Sequence, residues 1–492
     1  MHDVMIRVLM YADDLALVAR SPVDLQRMLD ALREYASMWH LTVNLSKTKV
    51  VIFAGRRTGN SMTHQYQQQR AGLRAASFTF NGLPVIITDE YKYLGVLFHE
   101  DVWSTYNKCQ PCNVRLRIYN EAIKHRVYEG RGKLAKWIRQ CKCWLFDPKM
   151  VISLFKTWVL PAFEYGVGLW GAEVARSKST SSSWSDIDSF WMSIARHALR
   201  APSRAPLAAL QGELGWWPFS LRACWQTAAL WSRLTAMDDS CLARKAMHVQ
   251  MRLVSNRQPC WLTNFKSLMY QINSNLKCSD MYDEWFCSGF NDRTCFTMRF
   301  DDRQHKVVRV GLDVVIQEQM HVRLEGEWLN ELARIEARRG VGGNKLRTYA
   351  MFKKDCEYEP YLNVIRDERK RALFTKFRIG VAPLRIETGR YEMSEGKKGI
   401  HEYARICQCC GIGVESEFHF LLVCPVYTQL RNQLLNVYEK QVQSIQHLTM
   451  QQIFVHIMGC TDSEIVKAVS EYLWRAFELC ESELCGRRAL GV

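Results

Sequence analysis

No run of the 492 residues comes near 18 consecutive apolar side chains, so no segment reads as a membrane-spanning helix. A basic amphipathic helix with a bulky apolar face is missing too, which removes the plainest way of lying on a lipid surface. The opening residues, Met1-His2-Asp3-Val4, put an acid where a secretory signal carries basic residues, and the following apolar run stops at Asp13. The expected setting is therefore intracellular, in the nucleus, the cytoplasm or both. Internal repeats of fixed period and long low-complexity tracts are lacking, which sets aside solenoids and biased linkers. The composition that remains, 48% apolar and 24% charged, is that of a globular chain with room for about three domains. Lys plus Arg exceed Asp plus Glu by 66 to 50, and the resulting +16 favours a polyanionic partner, most commonly nucleic acid. Eighteen cysteines without a secretory signal point to free thiols and metal ligands, not to a disulfide scaffold. Cys224, Cys241, Cys260, Cys356 and Cys460 stand singly among apolar residues and read as small buried side chains.

The first hundred residues have mixed α/β patterning. Val4 to Leu9 and Leu15 to Val18 are apolar, β-rich runs on either side of a tight turn, Tyr11-Ala12-Asp13-Asp14. Ser21 as N-cap, Pro22 at the first helical position and Asp24 in the first turn open a helix. Its apolar stripe is Leu25, Met28, Leu29, Leu32, Ala36 and Trp39. Short strands are expected at Lys49 to Phe53, Phe78 to Phe80 and Tyr93 to Phe98. Beyond Asp101 the pattern becomes helical, with helices over Asn113 to Gln140, Pro148 to Val159, an aromatic one through Phe190 and Trp191, and Ile465 to Leu484. Ser177 to Ser185 and the glycine-rich Arg338 to Asn344 read as linkers.

Two adjacent aspartates at the tip of an apolar hairpin repel each other, and a hard cation such as Mg²⁺ relieves that repulsion with oxygen ligands. In phosphoryl transfer such ions activate the attacking hydroxyl and neutralise the leaving pyrophosphate. The plainer alternative is a solvated acidic turn. A second metal signal lies near the C-terminus, where Cys407-x2-Cys410-x8-His419-x4-Cys424 offers three thiolates and an imidazole, the donor set of tetrahedral Zn²⁺. Cys409 is an alternative to Cys410. Cys109, Cys112, Cys141 and Cys143 are a weaker candidate, because Cys-x-Cys is poor spacing for one structural zinc. From Arg338 to Lys354 there are six basic residues and no acid, and from Arg366 to Arg385 seven basic against two acidic. Tyr349, Phe352, Phe374 and Phe377 are interleaved, a single-strand-binding composition of cations and rings. Amphipathic helices with basic outer faces would give the same pattern.

The segments MIRVLMYADDLALVARS, WHLTVNLSKTKVVIF and FNGLPVIITDEYKYLGVLF, in this order and spacing, resemble motifs C and D and the primer-grip hairpin of a non-LTR retrotransposon reverse transcriptase. The blocks Pro161, Tyr165-Gly166, Trp170-Gly171 and Glu213-Leu214-Gly215 with Pro218 resemble the region following the palm in those elements. RICQCCGIGVESEFHFLLVCPVY resembles their C-terminal CCHC knuckle, whose spacing favours Cys410 over Cys409. The resemblance implies Asp13 as principal metal ligand, Asp14 as its neighbour, and Lys47 as a cation beside the pyrophosphate, for which a lysine's mobile point charge is suited. It places Tyr11 and the core Tyr93-Leu94-Gly95 against the primer end. Lys345, Arg347, Lys353, Arg371, Lys376 and Arg378 become candidate contacts to an RNA template or a DNA primer or target.

The implied fold class is α+β: a partial palm with a short antiparallel sheet and a helix, then a mainly α-helical thumb and connector, then a small zinc knuckle. The expected division is 1–100 for the palm and primer-grip hairpin, 101–240 for a thumb-like region, 241–337 for a connector, 338–400 for a basic nucleic-acid-binding segment, 401–430 for the knuckle and 431–492 for terminal helices. Within 101–240 the aromatics are expected in the core, and Arg115, Arg117, Lys124, Arg126, Lys133 and Lys136 are the candidates for phosphate. A polymerase palm also needs an aspartate from an earlier strand and a nucleotide-sorting motif. Only ten residues precede Tyr11, with Asp3 their one acid, so both are expected to be missing and the Mg²⁺ site incomplete. An inactive polymerase fragment with an exposed sheet edge is the leading expectation, and a non-catalytic RNA- or DNA-binding zinc protein the alternative.

Overall fold

The computed structural model describes residues 6–53, 57–58, 71–100, 103–105, 115–117, 119–141, 147–176, 182–255, 260–272, 296–301, 306–336, 345–394, 397–442 and 447–489. Cys109, Cys112 and Cys143, and the linker from Arg338 to Asn344, lie outside the described residues. Helices separated by small sheets make the chain α+β. Contacts divide it into two compact units, one of Met1–Gly130, Ala162–Asp186 and Ser220–Met320, the other of Arg131–Pro161, Ile187–Phe219 and His321–Val492. Residues 101–240 are thus shared between the two units.

In the first unit, strands Val8–Tyr11 and Asp14–Leu17 form an antiparallel hairpin in which Tyr11 faces Asp14. Ala12 at its tip takes a left-handed φ of 52°, the backbone a two-residue hairpin loop requires. The helix Pro22–Met38 starts where the capping residues place it, with the Ser21 side chain accepting from Asp24 N at 3.1 Å. Strand Leu83–Thr88 lies centrally in a three-stranded sheet, parallel to Lys49–Val51 and antiparallel to Phe78–Phe80. Leu29 of the helix packs on Val50, Phe78, Phe80 and Val85 of this sheet, and Leu17 joins their margin. The expected open edge is partly covered: the Gln26 amide donates to Thr79 O at 2.9 Å and accepts from Thr79 N at 2.9 Å, as a neighbouring strand would. Met10, Met38, Trp39 and Leu41 remain exposed.

The hairpin Glu90–Tyr93 and Val96–His99 follows. Helix Val167–Arg176 then packs on Trp261–Ile272, with Trp261 Nε1 donating to Gly168 O at 3.2 Å. The expected helix from Asn113 begins later, at Asn120.

In the second unit, Asp147 caps helix Pro148–Trp158. The helix Ser182–Leu199, which belongs to this unit from Ile187 onward, begins within what was expected to be a serine-rich linker. Phe155, Phe190, Trp191, Trp216 and Phe219 form its aromatic core, where Trp191 and Trp216 stack with centroids 4.5 Å apart. The last helix, Ser463–Ala489, packs on Thr428–Gln441 and Glu368–Arg378. Of the five scattered cysteines, Cys224, Cys260 and Cys356 are buried and Cys460 half-buried. Cys241 is exposed, a correction that follows from its place just before the helix Leu242–Ser255.

Candidate active site and metal centre

The acidic turn puts both carboxylates in solvent. Asp13 and Asp14 are exposed, and Tyr11 is 66% exposed beside them. Lys47 is exposed in a different turn, where Asn44 Oδ1 accepts from Ser46 N at 3.1 Å. Two carboxylates from one turn meet only part of a hard cation's demand for oxygen. Among the described residues neither aspartate belongs to a group of three metal-capable side chains. The turn by itself therefore does not fit a two-ion centre.

The Tyr93-Leu94-Gly95 core, expected against a primer end, has an architectural explanation that sequence reasoning missed. Leu94 and Gly95 turn the hairpin with positive φ values of 45° and 77°. Tyr165 Oη donates to Leu94 O at 2.6 Å, and Arg126 donates to Gly95 O while its guanidinium sits 4.7 Å from the Tyr165 ring. A Cβ at Gly95 would come within 2.8 Å of Tyr165 Cε1. Tyr165 of the Tyr165-Gly166 block therefore clamps the turn by its backbone. Arg126, a phosphate candidate by sequence, is buried at 8% and occupied with carbonyls. Lys124 pairs with Glu121 at 2.7 Å. In the Trp170-Gly171 block, Trp170 is buried, and a Cβ on Gly171 would meet Ala223 O at 2.7 Å.

The basic stretch is largely turned inward, which corrects much of its reading as a phosphate surface. Arg378 is 2% exposed and holds the fully buried Glu213 of the Glu213-Leu214-Gly215 block through Nη2 at 3.1 Å and Nε at 3.1 Å. Glu359 adds a contact at 3.0 Å, and Tyr361 Oη donates to Glu213 Oε2 at 2.5 Å. Burial opposes the Arg378 charge, but Glu213 and Glu359 outweigh it and hold the pKa above its ordinary value. Lys353 is buried against Glu359 and Asp355. Arg371 donates to Ile365 O at 2.9 Å. Arg347 grips the buried Glu417 with oxygen distances of 2.5 and 2.7 Å. Tyr349, Phe374 and Phe377 are core rings, not stacking platforms. A cation buried in a carboxylate pair offers nothing to a phosphate. Lys345 and Lys376 stay half-buried, with Lys345 Nζ donating to Arg204 O at 3.0 Å and Tyr391 Oη at 2.9 Å.

The second candidate centre is assembled. Gly411 and Gly413, both at φ 71°, fold the loop so that Gly411 N donates to Cys407 O and Cys407 N donates to Gly413 O, each at 2.9 Å. Cys424 N donates to His419 O at 2.8 Å at the end of the turn His419–Val423. The ligand atoms of Cys407, Cys410, His419 and Cys424 lie within 4.8 Å of one another, and His419 Nε2 is 3.3 Å from Cys410 Sγ. Tetrahedral thiolate donors around zinc stand roughly 3.8 Å apart, so the arrangement fits. Cys407, Cys409 and Glu415 form an overlapping group of metal-capable atoms. However, Cys409 Sγ lies 2.9 Å from Cys480 Sγ and accepts from Tyr427 Oη at 3.3 Å, contacts that none of the four donors shares. Hydrogen bonding with Cys409, then burial, raises the Cys407 thiol above its ordinary range, and burial raises Cys424 and Cys410. Crowded, protonated thiols are the state a cation would replace. Burial, with Arg431 nearby, lowers His419 and keeps its imidazole in the neutral form a metal needs.

Residues 2–98 match the family model described as Reverse transcriptase (RNA-dependent DNA polymerase). No curated protein and no solved structure matches the chain.

Proposed function

We propose that residues 1–100 are the later part of a reverse-transcriptase palm of the non-LTR type, joined to helical regions and a CCHC zinc centre that handle an RNA template and a DNA primer or target. The observation that carries this is the Tyr11–Asp14 turn inside the matched segment, followed, in the order the resemblance implies, by the hairpin whose turn Tyr165 and Arg126 hold. In this reading Asp13 and Asp14 are Mg²⁺ ligands in a completed palm, and Lys47 and Tyr11 attend the nucleotide and primer end. Cys407, Cys410, His419 and Cys424 hold Zn²⁺, which supplies folding energy to the loop and no reaction step.

By itself this polypeptide is proposed not to polymerise, because in-line phosphoryl transfer needs carboxylates from more than one strand and the turn supplies two exposed ones. The alternative, a non-catalytic nucleic-acid-binding zinc protein, draws support from the same contrast between a full thiolate–imidazole set and a sparse acidic turn. Primer extension on an RNA template with Mg²⁺, with Asp13→Ala as control, separates the two. Synthesis that Asp13→Ala abolishes would overturn the inactivity. Binding without synthesis supports the alternative. Zinc stoichiometry unchanged by Cys407→Ser would sink the ligand assignment.

A further inference from the structure

The turn after Arg405 carries three cysteines in four positions, and the zinc set uses two of them, Cys407 and Cys410. Cys409 is 1% exposed and sits between Cys480 Sγ at 2.9 Å and Tyr427 Oη at 3.3 Å. Cys480 belongs to the last helix and is half-buried, so a solvent-borne reagent meets it before it meets Cys409. We propose that Cys409 and Cys480 are a modification site, a dithiol that a peroxide-class oxidant converts into an internal disulfide while the metal centre keeps its ligands. The sulfurs are already in contact, so joining them needs little backbone movement.

The chemistry balances with hydrogen peroxide as co-reactant. The Cys480 sulfur loses its proton and attacks one peroxide oxygen; the O–O bond breaks, leaving one water and a sulfenic acid on Cys480. The Cys409 sulfur then loses its proton and attacks the Cys480 sulfur; the S–O bond breaks, and the hydroxyl leaves as a second water. Two electrons have passed from the sulfurs to the peroxide. The new bond ties the knuckle turn to the helix Ser463–Ala489 and removes freedom from the unfolded chain. That Cys409 stands outside the zinc set rests on the zinc reading above, whereas its contact with Cys480 does not.

The test uses the full chain, with bound zinc counted first, then exposed to stoichiometric hydrogen peroxide and mapped by mass spectrometry of non-reduced tryptic peptides. Fragmentation assigns the linked residues and separates Cys480 from Cys485 on the same peptide. The expected result is a Cys409–Cys480 link, unchanged zinc, and a Tm rise of roughly 5–10 °C that dithiothreitol reverses. Cys409→Ala and Cys480→Ala should each abolish both the link and the rise. A link confined to Cys407, Cys410 and Cys424 with loss of zinc overturns the proposal, as does Cys480 ending as a sulfinic acid with no link. Absence of zinc before the oxidant is added would refute the zinc reading alone, and the wild-type link would still decide the dithiol.

Discussion

Glu213→Ala tests whether the Glu213-Leu214-Gly215 block is architectural. The carboxylate is completely buried, receives Arg378 through two nitrogens and accepts from Tyr361 Oη at 2.5 Å. Removing one member of a buried, hydrogen-bonded pair costs about 3–5 kcal/mol, because the other charge is left without its partner in a low dielectric. Arg378 would keep Glu359 at 3.0 Å, and Tyr361 would keep Thr375 Oγ1 at 2.8 Å, which places the loss near the lower end of that range. At about 2–4 °C per kcal/mol for a unit of this size, the midpoint should fall by roughly 6–12 °C. The assay is thermal unfolding followed by far-ultraviolet circular dichroism at pH 7. Glu213→Leu combined with Arg378→Met removes both charges, and should lose less than Glu213→Ala alone. A shift below about 2 °C for the single change, or a double variant equal to the sum of its parts, would refute the reasoning. Nucleic-acid binding supplies an independent arm. If Arg378 held a phosphate, Arg378→Met would reduce the salt slope of binding by about one, and no such change is expected in the folded protein.

Gly95→Ala should destabilise the first unit by about 2 kcal/mol, since it strains a φ of 77° and pushes a methyl to within 2.8 Å of Tyr165. Tyr165→Phe removes only the 2.6 Å bond to Leu94 O and should cost about 1 kcal/mol; denaturant melts rank the two. Metal analysis should find one zinc per chain in the wild type and in Cys409→Ala, and none in Cys407→Ser or Cys410→Ala. For the metal-free chain, the lowered pKa of His419 means that the unfolded state binds its proton first as pH falls. Stability should therefore be full above the ordinary value of 6.5 and decline below it, and His419→Gln should flatten that part of the pH–Tm curve. An unchanged slope in the variant would assign the loss elsewhere.

The local elements were legible where the signal is local. Ser21 and Pro22 start their helix, the helix expected from Pro148 begins there, and the two-residue loop of the first hairpin follows from its acidic turn between apolar runs. What distant chain segments decide was not legible. Nothing in the periodicity of residues 101–240 says that Ala162–Asp186 and Ile187–Phe219 pack in different units. Nor does the sequence near Thr79 show that the amide of Gln26 will occupy its strand edge. Such pairings depend on which surfaces meet, and a propensity carries no information about that.

The sites divide along the same line. The Cys407, Cys410, His419 and Cys424 cluster could be read because its four side chains lie within one short loop, whose local folding brings their ligand atoms together. The basic stretch could not, because a run of arginines looks alike whether it faces solvent or a buried acid. Its acids lie far along the chain: Glu213 answers Arg378, and Glu417 answers Arg347. Each arginine bears one positive charge in either setting, so composition counts it toward a nucleic-acid footprint that burial then removes. The signal that could have separated the cases was the Glu213-Leu214-Gly215 block itself. An acid flanked by Leu210 and Leu214 in an apolar helix demands a cation, and the later arginines were the supply. Burying such pairs removes one charge of each sign, so the +16 excess stands while the count of 66 basic residues overstates the cations open to phosphate, and a surface for nucleic acid should be sought on cations that have no carboxylate inside hydrogen-bonding reach.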